Sequence, residues 1–197
     1  YKLKSTDEVM KYYEQWGEEN KYDKDMEIWN YTGPKETSNI FNKYALNKGI
    51  RIYDAGCGTG LVGIELKKYG FLNIFGADLS QKLLDLVPKG IYKKLSKENL
   101  NKPINEKNNS FDAVICVGTF TFGHVKAHAL DEFIRITKNK GLICFTINEG
   151  IFEEYEFDKK IKELSNNRCW VMKEFFKSDY IASKNVNAWL GIAEVTK

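Results

Sequence analysis

The chain has 197 residues, of which 43% are hydrophobic and 14% aromatic, enough to form the core of one ordinary domain. Its 30 basic and 27 acidic residues leave a formal net charge of +3, and the lysines are scattered, so nucleic acid is not an expected partner. The apolar stretches are too short to cross a bilayer and no signal peptide is visible, which predicts a cytoplasmic protein without a membrane partner.

The amino-terminal part of the chain predicts two aromatic helices. Residues 5–20 begin with a Ser or Thr cap followed by acids, and then carry Val, Tyr and Trp residues at helical spacing. A second helix is expected at about residues 34–47, with a proline at its start. The segment between these helices is polar but contains Tyr22 and Tyr31, so its aromatic side chains need a surface to cover.

After Gly49 the chain alternates between short apolar runs and helical periodicity. This alternation predicts a parallel sheet with helices on both faces, and the fully apolar runs near residues 115 and 144 suit strands that are buried on both sides. The strands are predicted at residues 50–55, 73–79, 90–95, 111–118 and 141–147, and the helices at 61–70, 81–87 and 128–138.

The end of the chain breaks this alternation. A helical stretch at residues 152–167 is followed by two extended segments, 168–181 and 187–197, with no helix between them. Such segments are expected to pair as a hairpin. The fold class predicted from the whole chain is therefore α/β, with a seven-stranded, mostly parallel sheet that ends in an antiparallel hairpin.

The stretch "IYDAGCGTGLVG", residues 52–63, satisfies two glycine patterns at the first turn from strand to helix. Glycines at 58, 60 and 63 match the usual dinucleotide fingerprint, which would predict a nicotinamide-dependent oxidoreductase. Glycines at 56, 58 and 60, preceded by an acid at Asp54, indicate a different nucleotide-like cofactor.

Local features favour the second pattern. Asp54 ends the strand and Gly56 already begins the turn, before the first glycine of the dinucleotide pattern. Gly63 falls in the first turn of the following helix, where a glycine can serve close packing alone, and the terminal hairpin is unlike the usual dinucleotide half-fold. Asp78, at the end of the second strand, is placed to bind ribose hydroxyls under either pattern and does not decide between them.

The stretch "YDAGCGTG" resembles motif I of the class I S-adenosylmethionine-dependent methyltransferases, an acid followed by x-G-x-G-x-G. The order of elements is similar from about Tyr12 to Lys197. Within that superfamily, "CGTGLVGIELKKYGF" and "FDAVICVG" resemble the Williams-Beuren syndrome region methyltransferase-like group. The resemblance implies a Rossmann-like methyltransferase with S-adenosyl-L-methionine as its cofactor. It also implies one domain over 1–197, made of a helical lid (1–48), a cofactor-binding core (49–147) and a terminal helix with the hairpin (148–197).

The resemblance further implies a cofactor site that draws on several strand ends. The glycine turn would lie against the methionine moiety, with the acid before it near the amino group, while the end of the second strand would bind the ribose and adenine. After the third strand, an Asn stands where the family has an acid that binds the adenine amine, and an amide oxygen can accept that bond. The implied cofactor-binding residues are Asp54, Gly56, Gly58, Gly60, Asp78, Leu79, Asn99, Leu100 and Val117.

The aromatic amino-terminal segment also has a counterpart in the family. Residues 12–23, "YYEQWGEENKYD", are similar to a Y-x-x-W...YD lid that closes over the cofactor, and "YTGP" at 31–34 resembles the following pocket wall. The alternative is that these aromatic side chains only pack a helix onto the sheet. The implied additional cofactor contacts are Tyr22 and Tyr31, and the implied substrate-binding residues are Tyr13, Trp16 and Thr119.

Methyl transfer from a sulfonium is an in-line displacement that depends mainly on alignment, so catalytic residues are hard to recognise in the sequence. His124, after the fourth strand, is the best candidate for a catalytic base, and the alternative is that it caps the next helix. His128 gives an H-x-x-x-H spacing, but a solvated helical face is favoured over a metal site, and no metal is predicted. Cys57 is interpreted as a small packing residue.

The loop after the fourth strand limits the class of acceptor that is expected. It lacks the [DN]PP[YF] motif and the Pro-Cys nucleophile of base-modifying enzymes, and no large insertion offers a protein-binding platform. A small-molecule acceptor enclosed under the amino-terminal lid is therefore expected. The alternative from a different class is a cofactor-binding module or partner subunit without catalysis.

Overall fold

The computed structural model describes residues 21–184 and 186–197. Within them, seven strands form one sheet that has helices packed on both faces. The helices are α1 (Lys21–Ile28), α2 (Gly33–Tyr44), α3 (Leu61–Lys68), α4 (Gln81–Leu86), α5 (Ala129–Ile136) and α6 (Phe157–Asn166). The strands are β1 (Ile52–Ala55), β2 (Ile74–Asp78), β3 (Lys94–Lys97), β4 (Phe111–Phe120), β5 (Thr137–Asn148), β6 (Trp170–Ile181) and β7 (Val186–Val195).

The order of strands across the sheet is β3-β2-β1-β4-β5-β7-β6. Strands β1 to β5 pair in parallel, and β7 inserts between β5 and β6, antiparallel to both. Because β5 and β6 are both antiparallel to β7, they run parallel to each other. The end of β6 therefore reaches the same edge of the sheet as the ends of β1, β2 and β4. The predicted Rossmann-like mixed sheet with a terminal hairpin is confirmed.

The two faces of the sheet carry separate apolar cores, as expected when helices cover a parallel sheet on both sides. On one face, Phe133 of α5 and Phe157 of α6 are fully buried in a cluster with β4 and β5. On the other face, Phe41 of α2 and Leu66 of α3 are fully buried against β1 and β4. No helix within the described residues is long and apolar enough to cross a membrane.

Three of the differences between the structure and the predicted elements are explained by local structure. Residues 21–28 form α1, and their pattern is mostly polar because, of residues 23–28, only Met26 is buried. The third strand begins at Lys94 rather than residue 90, since the preceding residues turn inward towards the end of β1. The last helix begins only at Phe157, after Glu156 adopts a left-handed backbone with φ of 59°. The helix predicted at residues 5–20 lies outside the described residues.

Candidate functional site

The turn between β1 and α3 contains three glycines with a left-handed backbone. The φ angles of Gly56, Gly58 and Gly60 are 79°, 52° and 94°. Residues with a Cβ atom adopt such angles only at a cost, so this turn favours glycine at each position. A Cβ at Gly56 would overlap the side chain of Thr119, whereas a Cβ at Gly58 would meet no atom of the described residues within 4 Å. Within the described part of the chain, Gly58 is therefore the position at which the turn borders open space.

The fourth glycine of this stretch has a different environment. Gly63 lies inside α3, and a Cβ there would come within 2.5 Å of Tyr92 Oη and 2.7 Å of Ile91 Cγ2. Packing against Tyr92 thus accounts for Gly63 without any ligand. The third glycine of the dinucleotide pattern has a structural explanation, and the pattern that begins at Gly56 describes the turn itself.

Asp54, the last acid of β1, is fully buried. Its Oδ2 accepts a hydrogen bond of 2.6 Å from Tyr92 Oη, while Oδ1 has no hydrogen-bond partner among the described residues. Loss of solvent raises the pKa of Asp54 to about 7, and the nearby charge of Asp78 adds to the effect, although the bond from Tyr92 opposes it. A buried acceptor without a partner costs free energy, so a cationic or hydrogen-donating group placed there would be favoured.

Asp78 ends β2 beside the same turn. Its Oδ2 accepts a hydrogen bond of 2.8 Å from the Gly58 amide, and its Oδ1 accepts one of 2.8 Å from the Ser80 amide. Desolvation raises the pKa of Asp78 even though both amide bonds stabilise the charged form. Each carboxylate oxygen keeps a second lone pair, so the group can also accept from vicinal hydroxyls. Leu79, which follows, is half-buried.

The segment after β3 holds the two predicted adenine contacts. Leu100 is buried, and the side-chain oxygen of Asn99 accepts a hydrogen bond of 3.0 Å from the Asn101 amide. The Asn101 side chain in turn donates a bond of 3.2 Å to the His124 carbonyl. These bonds bring the segment after β3 to the loop after β4, so Asn99 and His124 belong to neighbouring loops.

The end of β4 is covered by the segment that joins α1 to α2. Val117 is buried, and Gly118 has a left-handed backbone with φ of 78°. A Cβ at Gly118 would come within 2.7 Å of Tyr31 Oη, so the Tyr31 side chain closes directly over this position. Thr119 turns to the other side, where its hydroxyl donates to the Ala55 carbonyl at 3.3 Å. The structure thus places Thr119 under the glycine turn.

Three hydroxyl groups connect this cover to the sheet, and we refer to Tyr31, Tyr180 and Thr146 as the hydroxyl chain. The hydroxyls of Tyr31 and Tyr180 lie 2.8 Å apart, and Thr146 donates to Tyr180 at 3.3 Å. The Gly118 amide donates to Thr146 Oγ1 at 3.1 Å, and this bond links the hydroxyl chain to β4. Burial raises the pKa of Tyr180 to about 12, so its hydroxyl stays protonated at neutral pH.

His124 lies in the loop after β4 and is half-buried. Loss of solvent lowers the pKa of His124 to about 4, so its imidazole is neutral at physiological pH and is a weak base. Helix α5 begins at Ala129, with His128 as its flanking residue, so His124 does not cap that helix and the two histidines share no helical face.

The remaining predicted positions are distributed as follows. Cys57 is buried, and burial raises the pKa of its thiol well above the ordinary value, which agrees with a packing role. Tyr22 lies in α1, and Tyr13 and Trp16 lie outside the described residues. Helix α1 reaches the glycine turn through Asp23, whose carboxylate accepts a bond of 2.6 Å from the Thr59 hydroxyl.

The structure therefore collects most of the predicted site residues at one edge of the sheet, and it adds others. The predicted strand at 90–95 contained Tyr92 without indicating that its side chain turns back to β1. Thr146 and Tyr180 lie in strands whose alternation predicts burial but no function. Tyr180 could have been identified from its position. It is an aromatic residue near the end of a strand, and that strand ends at the same edge of the sheet as the glycine turn. The contacts missed from the sequence were those of Asp23, Tyr92, Thr146 and Tyr180.

Comparison with known proteins gives a consistent result. Residues 53–145 match a family described as "Methyltransferase domain". Methyltransferase-like protein 27 of Homo sapiens is 33% identical over 139 residues, which cover 68% of this chain and 56% of that protein. The ribosomal protein L11 methyltransferase of Thermotoga neapolitana is 24% identical over 141 residues, which cover 71% of this chain and 50% of that protein. The chain thus spans about half the length of these relatives.

Solved structures share the fold at low sequence identity. A chain from the complex of the Haloferax volcanii Trm112 methyltransferase activator with a methyltransferase has a TM-score of 0.70 at 15% identity, covering 93% of this chain and 97% of that chain. Magnesium protoporphyrin IX methyltransferase from Synechocystis PCC 6803, solved with bound SAM, has a TM-score of 0.65 at 15% identity, covering 88% and 83%. At such identities the likeness establishes the fold alone.

Proposed function

Because this chain belongs to the class I S-adenosylmethionine-dependent methyltransferases, we propose that it transfers the methyl group of S-adenosylmethionine to a small-molecule acceptor. The matches confirm the predicted family, which consists of enzymes that use S-adenosylmethionine. The observation that carries the proposal for this chain is the buried Oδ1 of Asp54, which has no hydrogen-bond partner among the described residues and lies in the strand that leads into the glycine turn.

The residues at this edge fit the chemical groups of that cofactor. The Asp54 carboxylate suits the positively charged amino group, and the Gly58 backbone leaves room for the methionine moiety to approach. The second lone pairs of the Asp78 carboxylate suit the two ribose hydroxyls. Leu79, Asn99 and Leu100 form the adenine side of the proposed site, and Val117 lies towards the reactive end.

When bound, the cofactor supplies a methyl group already activated on a sulfonium, so alignment and exclusion of water account for much of the acceleration. The protein contributes a cover over the carboxyl end of β4. Tyr31 is held above Gly118 by Tyr180, which keeps water from one side of this region. Tyr13 and Trp16 are proposed to complete the lid over the acceptor.

An acceptor that arrives protonated needs a base, and we propose His124 for that role. Its loop follows β4, on the same edge as the glycine turn, and is bonded to the segment after β3. The imidazole is neutral at physiological pH because burial lowers the pKa of His124 to about 4. One ring nitrogen is therefore free of a proton at neutral pH, and as a weak base the imidazole suits an acceptor whose proton becomes more acidic when the methyl group bonds.

A small acceptor is favoured over a macromolecular one because the position above Gly118 is occupied by Tyr31 at close range and leaves little room for a chain segment. The name of the ribosomal protein L11 methyltransferase shows that a protein acceptor occurs among the relatives. A protein acceptor is therefore the outcome against which the small-molecule proposal is tested.

The first experiment is calorimetric titration of the protein with S-adenosylhomocysteine, NAD and NADP, repeated on Asp78→Ala. We expect binding of S-adenosylhomocysteine alone and its loss in the variant, because Asp78 accepts both the Gly58 amide and the proposed ribose hydroxyls. Asp85→Ala, which removes an exposed carboxylate bonded to Gln81 on the adjacent helix, is the matched control and should bind normally.

The acceptor is then tested with radiolabelled S-adenosylmethionine. Transfer of label to a pool of small metabolites, but not to protein or RNA, would support the proposal, and transfer to protein alone would contradict it. Binding of a nicotinamide in place of S-adenosylhomocysteine would overturn the cofactor assignment. Binding of S-adenosylhomocysteine without any transfer would favour a non-catalytic module.

A further inference from the structure

The ring of Tyr92 occupies a slot that is bordered by three glycines. A Cβ atom would lie 3.3 Å from the ring at Gly60, 2.5 Å from the hydroxyl at Gly63 and 3.0 Å from the ring at Gly76. Tyr92 precedes β3, and its ring extends across β2 towards the glycine turn. The ring can do so because Gly76 in β2 has no side chain. The slot therefore depends on Gly63 and Gly76, neither of which has a left-handed backbone.

The hydroxyl of Tyr92 ends beside the acid of β1. It donates a hydrogen bond of 2.6 Å to Asp54 Oδ2, and Asp54 Oδ1 remains buried without a partner among the described residues. A carboxylate is planar, so a bond that holds one oxygen also sets the direction of the other. The Tyr92 hydroxyl thus determines where the unpartnered oxygen points.

We propose that Tyr92 is a positioning residue for the cofactor. Its hydroxyl holds Asp54 so that Oδ1 receives the amino group of S-adenosylmethionine. The inference rests on the proposed function, because the ligand group is that of the cofactor. It extends the proposed function because it assigns a role to a residue outside the glycine motif. It also explains the glycines at 63 in α3 and at 76 in β2, which make room for the phenol ring.

The surroundings of Asp54 make this arrangement sensitive to pH. The groups that face Asp54 are Tyr92, the Asp78 carboxylate of β2, and the thiols of Cys57 and Cys116. Burial raises the pKa of both thiols, so they carry no charge at neutral pH. Asp78 repels the charged form of Asp54, and the bond from Tyr92 is the interaction that stabilises it. Removal of that bond therefore favours the protonated acid.

The direction of the pH effect follows from the raised pKa of Asp54, which is about 7 in the folded protein. Below that value the acid is neutral and attracts an ammonium group weakly, so cofactor affinity should rise as the pH increases through 7. The expected profile is a rise through pH 7 that levels off once Asp54 is fully charged.

The test is calorimetric titration with S-adenosylhomocysteine between about pH 5.5 and 8.5 on the wild-type protein and on Tyr92→Phe. The variant keeps the ring in its slot and removes only the hydroxyl. We expect affinity at pH 7 to fall about tenfold, the scale of one hydrogen bond to a charged group. We also expect the rising limb of the profile to shift to higher pH.

A matched control removes another tyrosine hydroxyl that donates to a carboxylate. Tyr44 donates a bond of 2.7 Å to Glu174 in β6, an edge strand that β4, β5 and β7 separate from β1. Tyr44→Phe should leave both the affinity and the pH profile unchanged. Thermal unfolding of both variants checks that Tyr92→Phe retains its fold.

A second variant separates positioning from packing. In Asp54→Asn no charge remains to be held, so addition of Tyr92→Phe should weaken binding far less than it does in the wild-type background. Equal losses in both backgrounds would show that Tyr92 acts through packing, and would overturn the inference. Wild-type affinity and an unshifted pH profile in Tyr92→Phe would overturn it as well.

Failure of the proposed function has a different outcome in the same experiment. If the wild-type protein bound neither S-adenosylmethionine nor S-adenosylhomocysteine at any pH, the proposed function and this inference would fall together. If the wild-type protein bound and Tyr92→Phe bound equally well, only the inference would fall.

Discussion

The two sides of the candidate site are built in different ways. On the cofactor side, the bonds join residues that are close in the chain: Gly58 and Asp78 are 20 positions apart, and Asp54 and Tyr92 are 38 apart. On the side of the hydroxyl chain, Tyr31 and Tyr180 are 149 positions apart. The first side is formed by successive strand and helix units, whereas the second requires the terminal hairpin to be in place. Local substitutions should therefore affect the two sides separately.

The largest effect is expected for Gly56→Ala on the cofactor side. The new Cβ would overlap Thr119 Oγ1 and lie 2.9 Å from its Cγ2, so rotation of Thr119 cannot relieve the contact. Together with a left-handed backbone, this should cost about 3 kcal/mol of stability. Denaturant unfolding measures the change. The double variant Gly56→Ala, Thr119→Ala should recover part of the loss, and equal stability of single and double variants would contradict the explanation.

Gly58→Ala should separate stability from binding on the same turn. Its Cβ would meet no atom of residues 21–184 or 186–197 within 4 Å, so only the left-handed backbone is penalised, by about 1 kcal/mol. The methyl group would enter the space proposed for the cofactor, and affinity for S-adenosylhomocysteine should fall at least tenfold in calorimetry. A loss of stability as large as that of Gly56→Ala, with binding retained, would mean that this space is not the cofactor site.

Tyr180→Phe tests the other side of the comparison. The substitution removes the central hydroxyl of the hydroxyl chain, so Tyr31 and Thr146 each lose a hydrogen bond. Stability should fall by about 1 to 2 kcal/mol, because two bonds are lost within a buried region. Affinity for S-adenosylhomocysteine should stay near the wild-type value, since the cofactor side is untouched. A loss of affinity comparable to that of Gly58→Ala would show that the two sides are not independent.

The smallest effect is expected where α1 meets the glycine turn. Thr59→Ala removes the bond of 2.6 Å to Asp23, and its stability should fall by about 0.5 to 1 kcal/mol. Amide hydrogen exchange should become faster in α1 and stay unchanged in β4 and β5, because the bond to Asp23 joins this helix to the glycine turn. Thr196→Ala, which removes a hydroxyl bonded to the Arg168 carbonyl at the far end of β7, serves as the control. Unchanged exchange in α1 would contradict the assigned contact.

Much of the fold was predictable because it depends on local patterns. Alternating apolar and amphipathic stretches predicted a parallel sheet, and the extended segments after residue 167 predicted the hairpin. Asp54 and Asp78 were recognisable because each ends an apolar strand, and the carboxyl ends of parallel strands meet at one edge. In these cases the spacing of residues along the chain is enough to determine where they lie.

Other features were not predictable in the same way. Helix α1 has a mostly polar pattern, so its apolar periodicity was too weak to be recognised. The start of β3 was misplaced because Ile91 and Tyr92 continue the apolar pattern while their side chains pack against α3. Apolar periodicity records burial, but it does not distinguish a strand from a segment that turns inward.

The sequence by itself determined the architecture and the position of the glycine turn, since both follow from residue spacing within one strand and helix unit. Only the tertiary structure decided what the glycines accommodate and which hydroxyls cover β4. Gly63 makes room for Tyr92, and Tyr31 meets Tyr180, because β2, β4 and β6 end at the same edge of the sheet. Contacts of this kind depend on how strands are ordered in space, and periodicity along the chain carries no record of that order.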